Sequence, residues 1–165
     1  MKKFSVIGFP KCATMSMVDY IRKIHPGAEV TRPENIYTEE QGFHLVKKWH
    51  EWECIVITRD PVKRIQSCMS YFTEFRNLTV EDVYKGVFDR YENIGCKWPI
   101  YQSNYDLFIK KWEKKHGQRL KVYKFEDMIK DKDFPHINET DYKRKFTKRE
   151  TDYIKGKLEE AGVSY

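Results

Sequence analysis

The chain has 165 residues, of which 40% are hydrophobic, 15% aromatic and 34% charged. This length is typical of one domain with one hydrophobic core, so we expect a single domain over residues 1–165. The longest apolar runs are far shorter than the ~20 residues that a membrane span needs. The N-terminus also lacks the apolar region and cleavage site of a secretory signal. These features predict a complete, soluble, cytoplasmic protein.

The charge pattern indicates the kind of partner. The net charge is +6, from 31 basic and 25 acidic residues, and a modest basic excess favours the binding of anions. The lysines are interleaved with acidic residues, and neither zinc-finger spacing nor an RNA-binding aromatic motif is present. We therefore expect a phosphorylated small molecule as ligand, with no nucleic acid and no membrane as partner. The pattern indicates no particular oligomeric state.

The four cysteines are Cys12, Cys54, Cys68 and Cys96. None forms a C-x-x-C pair, and no His/Cys cluster has metal-ligand spacing, so we expect no metal site. A disulfide framework is not expected without a secretory signal. Cys54 lies in an apolar run, where a buried free thiol is predicted.

Apolar periodicity and turn residues predict alternating strands and helices. The first half has strands at 4–8 and 28–31 and helices at 15–24 and 42–51. The second half has strands at 54–58 and 120–125, a loop at 91–100, and helices from Pro61, from Thr79, over 102–116 and from Thr147 to near Gly162. The last helix opens on the capping box Thr147-x-x-Glu150.

This alternation predicts an α/β fold of three layers, in which helices flank both faces of a mainly parallel sheet. In such folds ligands bind at the carboxyl ends of the strands. The loops after Gly8 and after Thr58 are therefore the expected places for chemistry.

The loop from Gly8 to Ser16, GFPKCATMS, passes from a buried strand into a helix. A helix N-terminus favours an anion, Lys11 adds a full positive charge, and Thr14 and Ser16 add hydroxyl donors. The loop differs from the Walker pattern G-x-x-x-x-G-K-S/T, because its lysine comes three residues after Gly8 and no metal-binding hydroxyl follows directly.

The second loop, RDPVKRIQS from Arg59 to Ser67, follows the clearest strand. An arginine at a strand end offers a planar fork suited to phosphate. Ser67, on the following helix, could donate its hydroxyl to the same group. Arg64 is expected to have a structural role, pairing with a local acid.

Three segments resemble sulfotransferases. The first loop is similar to their 5′-phosphosulfate loop, G-F/V-P-K-S/C/A/G-G-T-T/S, with Ala13 at the position of the second glycine. The second loop is similar to their 3′-phosphate motif, R-D/N-P-x-x-R-x-x-S, at every fixed position. Residues 101–127 resemble the family's helix-then-strand segment ending in Y-E-D-L/M, with Phe125 in place of the tyrosine.

The resemblance implies a P-loop-like sulfotransferase fold and a transferase that uses 3′-phosphoadenosine 5′-phosphosulfate (PAPS) and releases the bisphosphate PAP. It implies that Arg59 and Ser67 hold the 3′-phosphate and that Phe125 lies near the adenine. Lys11 would bind the donor and also be catalytic, by neutralising charge on the bridging oxygen. The residues of the first loop that would bind PAPS are Lys11, Cys12, Ala13, Thr14, Met15 and Ser16. Alanine is less tolerant of positive φ than glycine, so a different loop geometry or weaker affinity is expected.

A hydroxyl acceptor needs a general base, which the family places between the two phosphate loops. The candidates are Glu34, Glu39, Glu40, His44 and His50. We predict Glu34, because residues 31–35 resemble the K-x-E segment of glycan sulfotransferases, with His44 next. For the same reason we expect a small-molecule or glycan acceptor, with a saccharide hydroxyl favoured.

Near the C-terminus, Lys143, Arg144 and Lys145 resemble closing segments that complete the 3′-phosphate pocket in some members. They could equally be a solvated lead-in to the last helix. Three other function classes stay open: an ATP- and magnesium-dependent P-loop kinase, a protein that binds PAP or PAPS without turnover, and a nucleic-acid binder. Magnesium dependence would identify the first of these.

Overall fold

Four parallel strands form the sheet of the described chain, in the order β2–β1–β3–β4. They are β1 (Lys3–Gly8), β2 (Glu29–Thr31), β3 (Glu53–Thr58) and β4 (Lys121–Lys124). The structure, a computed structural model, describes residues 1–9, 11–31, 52–85, 103–136 and 142–163. The helix predicted at 42–51, the loop predicted at 91–100 and all five candidate bases lie outside these residues.

Helices alternate with the strands along the chain. They are α1 (Thr14–Ile24), α2 (Pro61–Tyr71), α3 (Val80–Lys85), α4 (Tyr105–His116), α5 (Phe125–Met128) and α6 (Lys148–Glu160), and a 3₁₀ turn spans Thr73–Phe75. Parallel strands require such crossover connections, and α1 provides the one between β1 and β2. The predicted α/β fold with a parallel sheet flanked by helices is confirmed. Within the described segments, no helix has the length and apolar character needed to cross a bilayer.

The apolar runs of β1 and β3 form strands because both faces of the sheet are covered. Successive side chains of a strand point to opposite faces. From one face of β1, the Phe4 ring stacks on His25 at the end of α1, with centroids 5.0 Å apart. From the other face, Ile7 packs with Cys54 of β3 and Trp112 of α4. Helices therefore lie on both faces, as the sequence predicts.

The described cysteines Cys12, Cys54 and Cys68 are buried free thiols. Burial raises the pKa of the Cys54 thiol to about 11. Cys54 is therefore protonated at neutral pH and contributes to the core rather than to nucleophilic chemistry.

The chain divides into two compact units. The first comprises Met1–Arg59 and Leu107–Glu139 and contains the sheet, and the second comprises Asp60–Asp106 and Thr140–Tyr165. The prediction of a single domain stays a prediction.

The second unit has its own apolar core, contributed by α2, α3 and α6 and the segments beside them. Its buried members are Ile65, Cys68, Met69, Phe75, Val80, Ile154, Leu158 and Val163. The start of α2 is fixed by Asp60, whose carboxylate accepts a hydrogen bond of 2.8 Å from the backbone N–H of Lys63. Pro61 occupies the first helical turn, where its missing N–H costs nothing.

Both helix starts predicted from Thr-x-x-acid patterns are confirmed. Thr79 and Asp82 exchange side-chain and backbone hydrogen bonds before α3. Thr147 and Glu150 form a complete capping box at the start of α6.

Arg144 is packed inside the second unit. Its guanidinium donates to a Glu150 carboxylate oxygen at 2.6 Å and to the backbone carbonyls of Phe75 and Leu78. Its backbone N–H donates to the Ser70 hydroxyl at 3.0 Å. The side chain is only 14% exposed, so of the two alternatives left open by the sequence the solvated lead-in is wrong for Arg144, whereas Lys143 and Lys145 are exposed.

We predict that Glu150→Gln lowers the free energy of unfolding at pH 7 by about 1–3 kcal/mol, because it removes the negative charge of a half-buried ion pair and leaves one oxygen to accept from both Arg144 and Thr147. Desolvation raises the pKa of Glu150, but the Thr147 N–H and the Arg144 guanidinium outweigh it, so the pKa lies below its ordinary value of 4.5. A depressed carboxyl pKa stabilises the fold above the unfolded pKa, and this contribution is lost as the pH falls through the folded value.

The measurement is urea unfolding at several pH values below neutrality. Glu150→Gln should flatten the fall of stability in acid, whereas Asp152→Asn, which changes an exposed carboxylate on the same helix, should leave the profile unchanged. A Glu150→Gln profile parallel to that of the wild type would contradict the assignment.

Candidate functional site

The loop after β1 has an unusual backbone conformation. Lys11 has φ +64° and Ala13 has φ +60°, so two non-glycine residues occupy the left-handed region. Between them, the N–H of Cys12 donates to the carbonyl of Phe9 at 3.2 Å. Each left-handed L-residue costs roughly 1–2 kcal/mol, and such strain is concentrated at functional sites. Ala13 thus takes a conformation that glycine would adopt at lower cost.

This loop presents the N-terminus of α1. Ala13 is the N-cap residue and provides no side-chain cap, and the first turn contains no acidic residue. The first helical hydrogen bond runs from the N–H of Met17 to the carbonyl of Ala13, 3.0 Å long. Helix geometry leaves the first-turn N–H groups, including those of Thr14 and Met15, without intrahelical acceptors. Together with the helix dipole they create a partial positive charge that suits an anion.

The predicted residues of this loop differ in accessibility. Lys11, Ala13, Thr14 and Met15 are half-buried, so groups of the turn and of the first helical turn reach the surface. Cys12 is fully buried and Ser16 is 2% exposed. The main-chain N–H groups and the Lys11 ammonium, rather than the Cys12 thiol, are therefore the chemically available groups.

Arg59 follows β3 directly, and its guanidinium reaches the first loop. Its Nη1 donates to the backbone carbonyl of Lys11 at 3.2 Å. The guanidinium carbon lies 4.6 Å from the centroid of the Phe125 ring, a cation–π contact. Its Nε is buried without a hydrogen-bond acceptor in the described part of the chain. The structure therefore brings together three predicted site residues: Lys11, Arg59 and Phe125.

The parallel register of the strands explains this meeting. Gly8 pairs with Ile57, and Thr58 pairs with Lys124, so β1, β3 and β4 end at the same edge of the sheet. The Thr58 hydroxyl donates to the Tyr123 carbonyl at 3.4 Å, which ties the end of β3 to β4. The residues that follow these strand ends come close together as a result.

Phe125 begins α5 and does not extend the preceding strand, so the strand predicted at 120–125 is one residue too long at this end. Its ring packs edge-on against Phe134, with centroids 6.4 Å apart, and Phe134 packs on Tyr20 of α1 at 5.6 Å. The Tyr20 hydroxyl donates to Asp131 at 2.7 Å. This chain of contacts holds the surface on which Arg59 lies.

The remaining predicted residues are not brought to this cluster by the described contacts. Ser67 lies half-buried on α2 of the second unit, and its pairing with Arg59 stays a prediction. Arg64 is fully buried, donates to the Ser103 hydroxyl at 2.9 Å and contacts the Cys68 sulfur at 3.9 Å. These contacts agree with a structural role. Glu34 lies outside the described residues.

One solved structure is similar to the whole chain, the crystal structure of a sulfotransferase from Alicyclobacillus acidocaldarius. The TM-score is 0.66 and the sequence identity 11%, and the match covers 100% of this chain and 97% of the other. No protein-family model matches the chain, and no curated protein matches its sequence. At this identity the likeness shows a shared sulfotransferase-like α/β fold.

We predict that Ala13→Gly raises the free energy of unfolding by about 0.5–1 kcal/mol. Glycine relieves left-handed strain of roughly 1–2 kcal/mol and adds about 0.5–1 kcal/mol of unfolded-state entropy. Ala161, with φ −83°, supplies the control, because Ala161→Gly relieves no strain and should destabilise. Urea unfolding of the two variants measures both effects, and destabilisation by Ala13→Gly would contradict the left-handed assignment.

Proposed function

We propose that this protein transfers the sulfuryl group of PAPS to an acceptor hydroxyl. The observation that carries the proposal is the hydrogen bond between Arg59 and the Lys11 carbonyl. It joins the two loops that resemble the 5′-phosphosulfate and 3′-phosphate motifs of sulfotransferases. The sulfotransferase-like fold of the whole chain supports the same reading.

The chemistry of the cluster fits a donor that carries two separate anionic groups. The α1 N-terminus and Lys11 suit the 5′-phosphosulfate, since helix N–H groups and an ammonium favour an oxyanion. Arg59 suits the 3′-phosphate, since a guanidinium binds phosphate through its planar fork. Its Nε still lacks an acceptor in the described chain. The half-buried ring of Phe125 offers an aromatic face of the kind on which an adenine stacks.

When bound, PAPS supplies the sulfuryl group and a phosphate leaving group. The chain's own residues provide positioning and charge stabilisation, which dominate such in-line transfers. Lys11 neutralises the negative charge that grows on the bridging oxygen, and it needs no proton transfer to do so. The accessible N–H groups in the first turn of α1, including those of Thr14 and Met15, would hold the 5′-phosphate in place.

The acceptor side of the proposal rests on the sequence. Glu34 is proposed as the general base that takes the proton from the acceptor hydroxyl, with His44 as the second candidate. A saccharide hydroxyl is the proposed acceptor, because residues 31–35 resemble glycan sulfotransferases.

The first test is calorimetric titration of the full chain with PAP, with 5′-AMP and with ATP plus magnesium. The proposal predicts that PAP binds most tightly, because only PAP offers a 3′-phosphate together with the 5′-phosphate. Preference for ATP with magnesium would support the kinase alternative and overturn the proposal. Binding of none of the three would overturn it as well.

A second prediction concerns Lys11. We expect Lys11→Ala to reduce sulfuryl transfer from labelled PAPS to a panel of saccharides by about 10²-fold or more, a typical loss for one transition-state contact. Lys2→Ala is the matched control, since Lys2 is an exposed lysine at the amino end of β1 and should leave transfer unchanged. PAP binding without transfer by the wild type to any acceptor would favour the alternative of a binding protein without turnover.

A further inference from the structure

The left-handed conformation of Lys11 needs a source of stabilisation. Lysine, unlike glycine, has a Cβ atom, so a backbone φ of +64° costs it free energy. Among the contacts of this residue, its carbonyl accepts a hydrogen bond from Arg59. A bond between a charged donor and a carbonyl is among the stronger protein hydrogen bonds and can offset strain of this size.

We propose that Arg59 is a positioning residue for the phosphate loop, in addition to the 3′-phosphate contact that its motif implies. By holding the Lys11 carbonyl, the guanidinium fixes the Lys11–Cys12 peptide, which lies one peptide before the α1 N-cap residue Ala13. It thereby sets the direction of the Lys11 ammonium and of the first-turn N–H groups. This inference rests on the proposed function and gives Arg59 a role that does not require a 3′-phosphate.

The geometry allows both roles at once. A guanidinium has five N–H donors in a rigid plane, and the bond to Lys11 uses Nη1 alone. The centroid of the Phe125 ring lies 4.6 Å from the guanidinium carbon, so this packing limits how far the guanidinium can move. A lysine at this position would keep the charge but could not both stack and donate along two fixed directions.

The two roles predict different binding behaviour. If Arg59 only binds the 3′-phosphate, its removal weakens PAP binding and does not change the affinity for ligands that lack a 3′-phosphate. If it also positions the loop, adenosine 5′-phosphosulfate, which lacks the 3′-phosphate, loses affinity too. We expect Arg59→Ala to lower the affinity for adenosine 5′-phosphosulfate by about tenfold, which is the typical effect of losing one charged hydrogen bond. Arg59→Lys should weaken it similarly while retaining part of the preference for PAP.

A second readout needs no ligand. The Cys12 N–H donates to Phe9 and the Met17 N–H to Ala13, so both amides report on the loop through hydrogen exchange. In the free protein, Arg59→Ala should accelerate their exchange by about tenfold relative to amides in β3. A residue that acts only on bound 3′-phosphate would leave these rates unchanged.

Arg76 supplies the matched control. Its guanidinium also lies over an aromatic ring, that of Tyr142 at 5.0 Å, and its Nε is likewise buried without an acceptor in the described chain. Arg76→Ala should change neither the loop exchange rates nor the affinity for adenosine 5′-phosphosulfate. If the two arginine variants had equal effects, general destabilisation of the protein would explain them, and the inference would be overturned.

The outcomes separate the two proposals. Arg59→Ala could weaken PAP binding while leaving both the loop exchange rates and the affinity for adenosine 5′-phosphosulfate unchanged. That result would overturn the positioning role and leave the sulfotransferase proposal standing. Failure of the wild type to bind either nucleotide overturns the sulfotransferase proposal, and the exchange rates still decide the positioning role.

Discussion

The parallel register of β1, β3 and β4 is the constraint on which the candidate site depends. Because Gly8 pairs with Ile57 and Thr58 with Lys124, three strands stop at one edge of the sheet. The first residues beyond that edge, including Lys11, Arg59 and Phe125, come from distant parts of the sequence. The buried side chains of β1 and β3 maintain this register, since a shift by one residue would move each of them to the other face of the sheet and away from the side chains on which it packs.

The backbone strain in the loop after β1 is balanced by the contacts around that loop. Two left-handed residues cost roughly 2–4 kcal/mol together, a large fraction of the stability of a small domain. The Arg59 hydrogen bond and the fixed start of α1 oppose that cost. Tyr20 donates to Asp131 and Lys23 donates to Asp133, each at 2.7 Å, and these bonds anchor the helix that begins at the loop. The strain thus persists because the helix behind it cannot easily move.

Much of the fold is predictable from the sequence, because its signals are local. The apolar runs at 4–8 and 54–58 become strands, and Thr147-x-x-Glu150 becomes a capping box, as predicted. The strand at 120–125 is harder to delimit because most of β4 is exposed and provides no apolar run. Lys11 has a left-handed backbone although it is not a glycine, so the sequence does not indicate this conformation.

The three arginines of the predicted motifs show where sequence reasoning stops. Arg59 contacts a loop carbonyl and a ring, Arg64 is buried against Ser103, and Arg144 is held by Glu150 and two carbonyls. Their sequence contexts look alike, since each is a basic residue in a segment that resembles an anion-binding segment of sulfotransferases. The acceptor that each guanidinium meets is set by tertiary contacts, and a motif does not encode them. Conversely, a motif arginine that also bonds the backbone cannot be treated as a ligand contact alone, because its loss alters the loop as well as the charge.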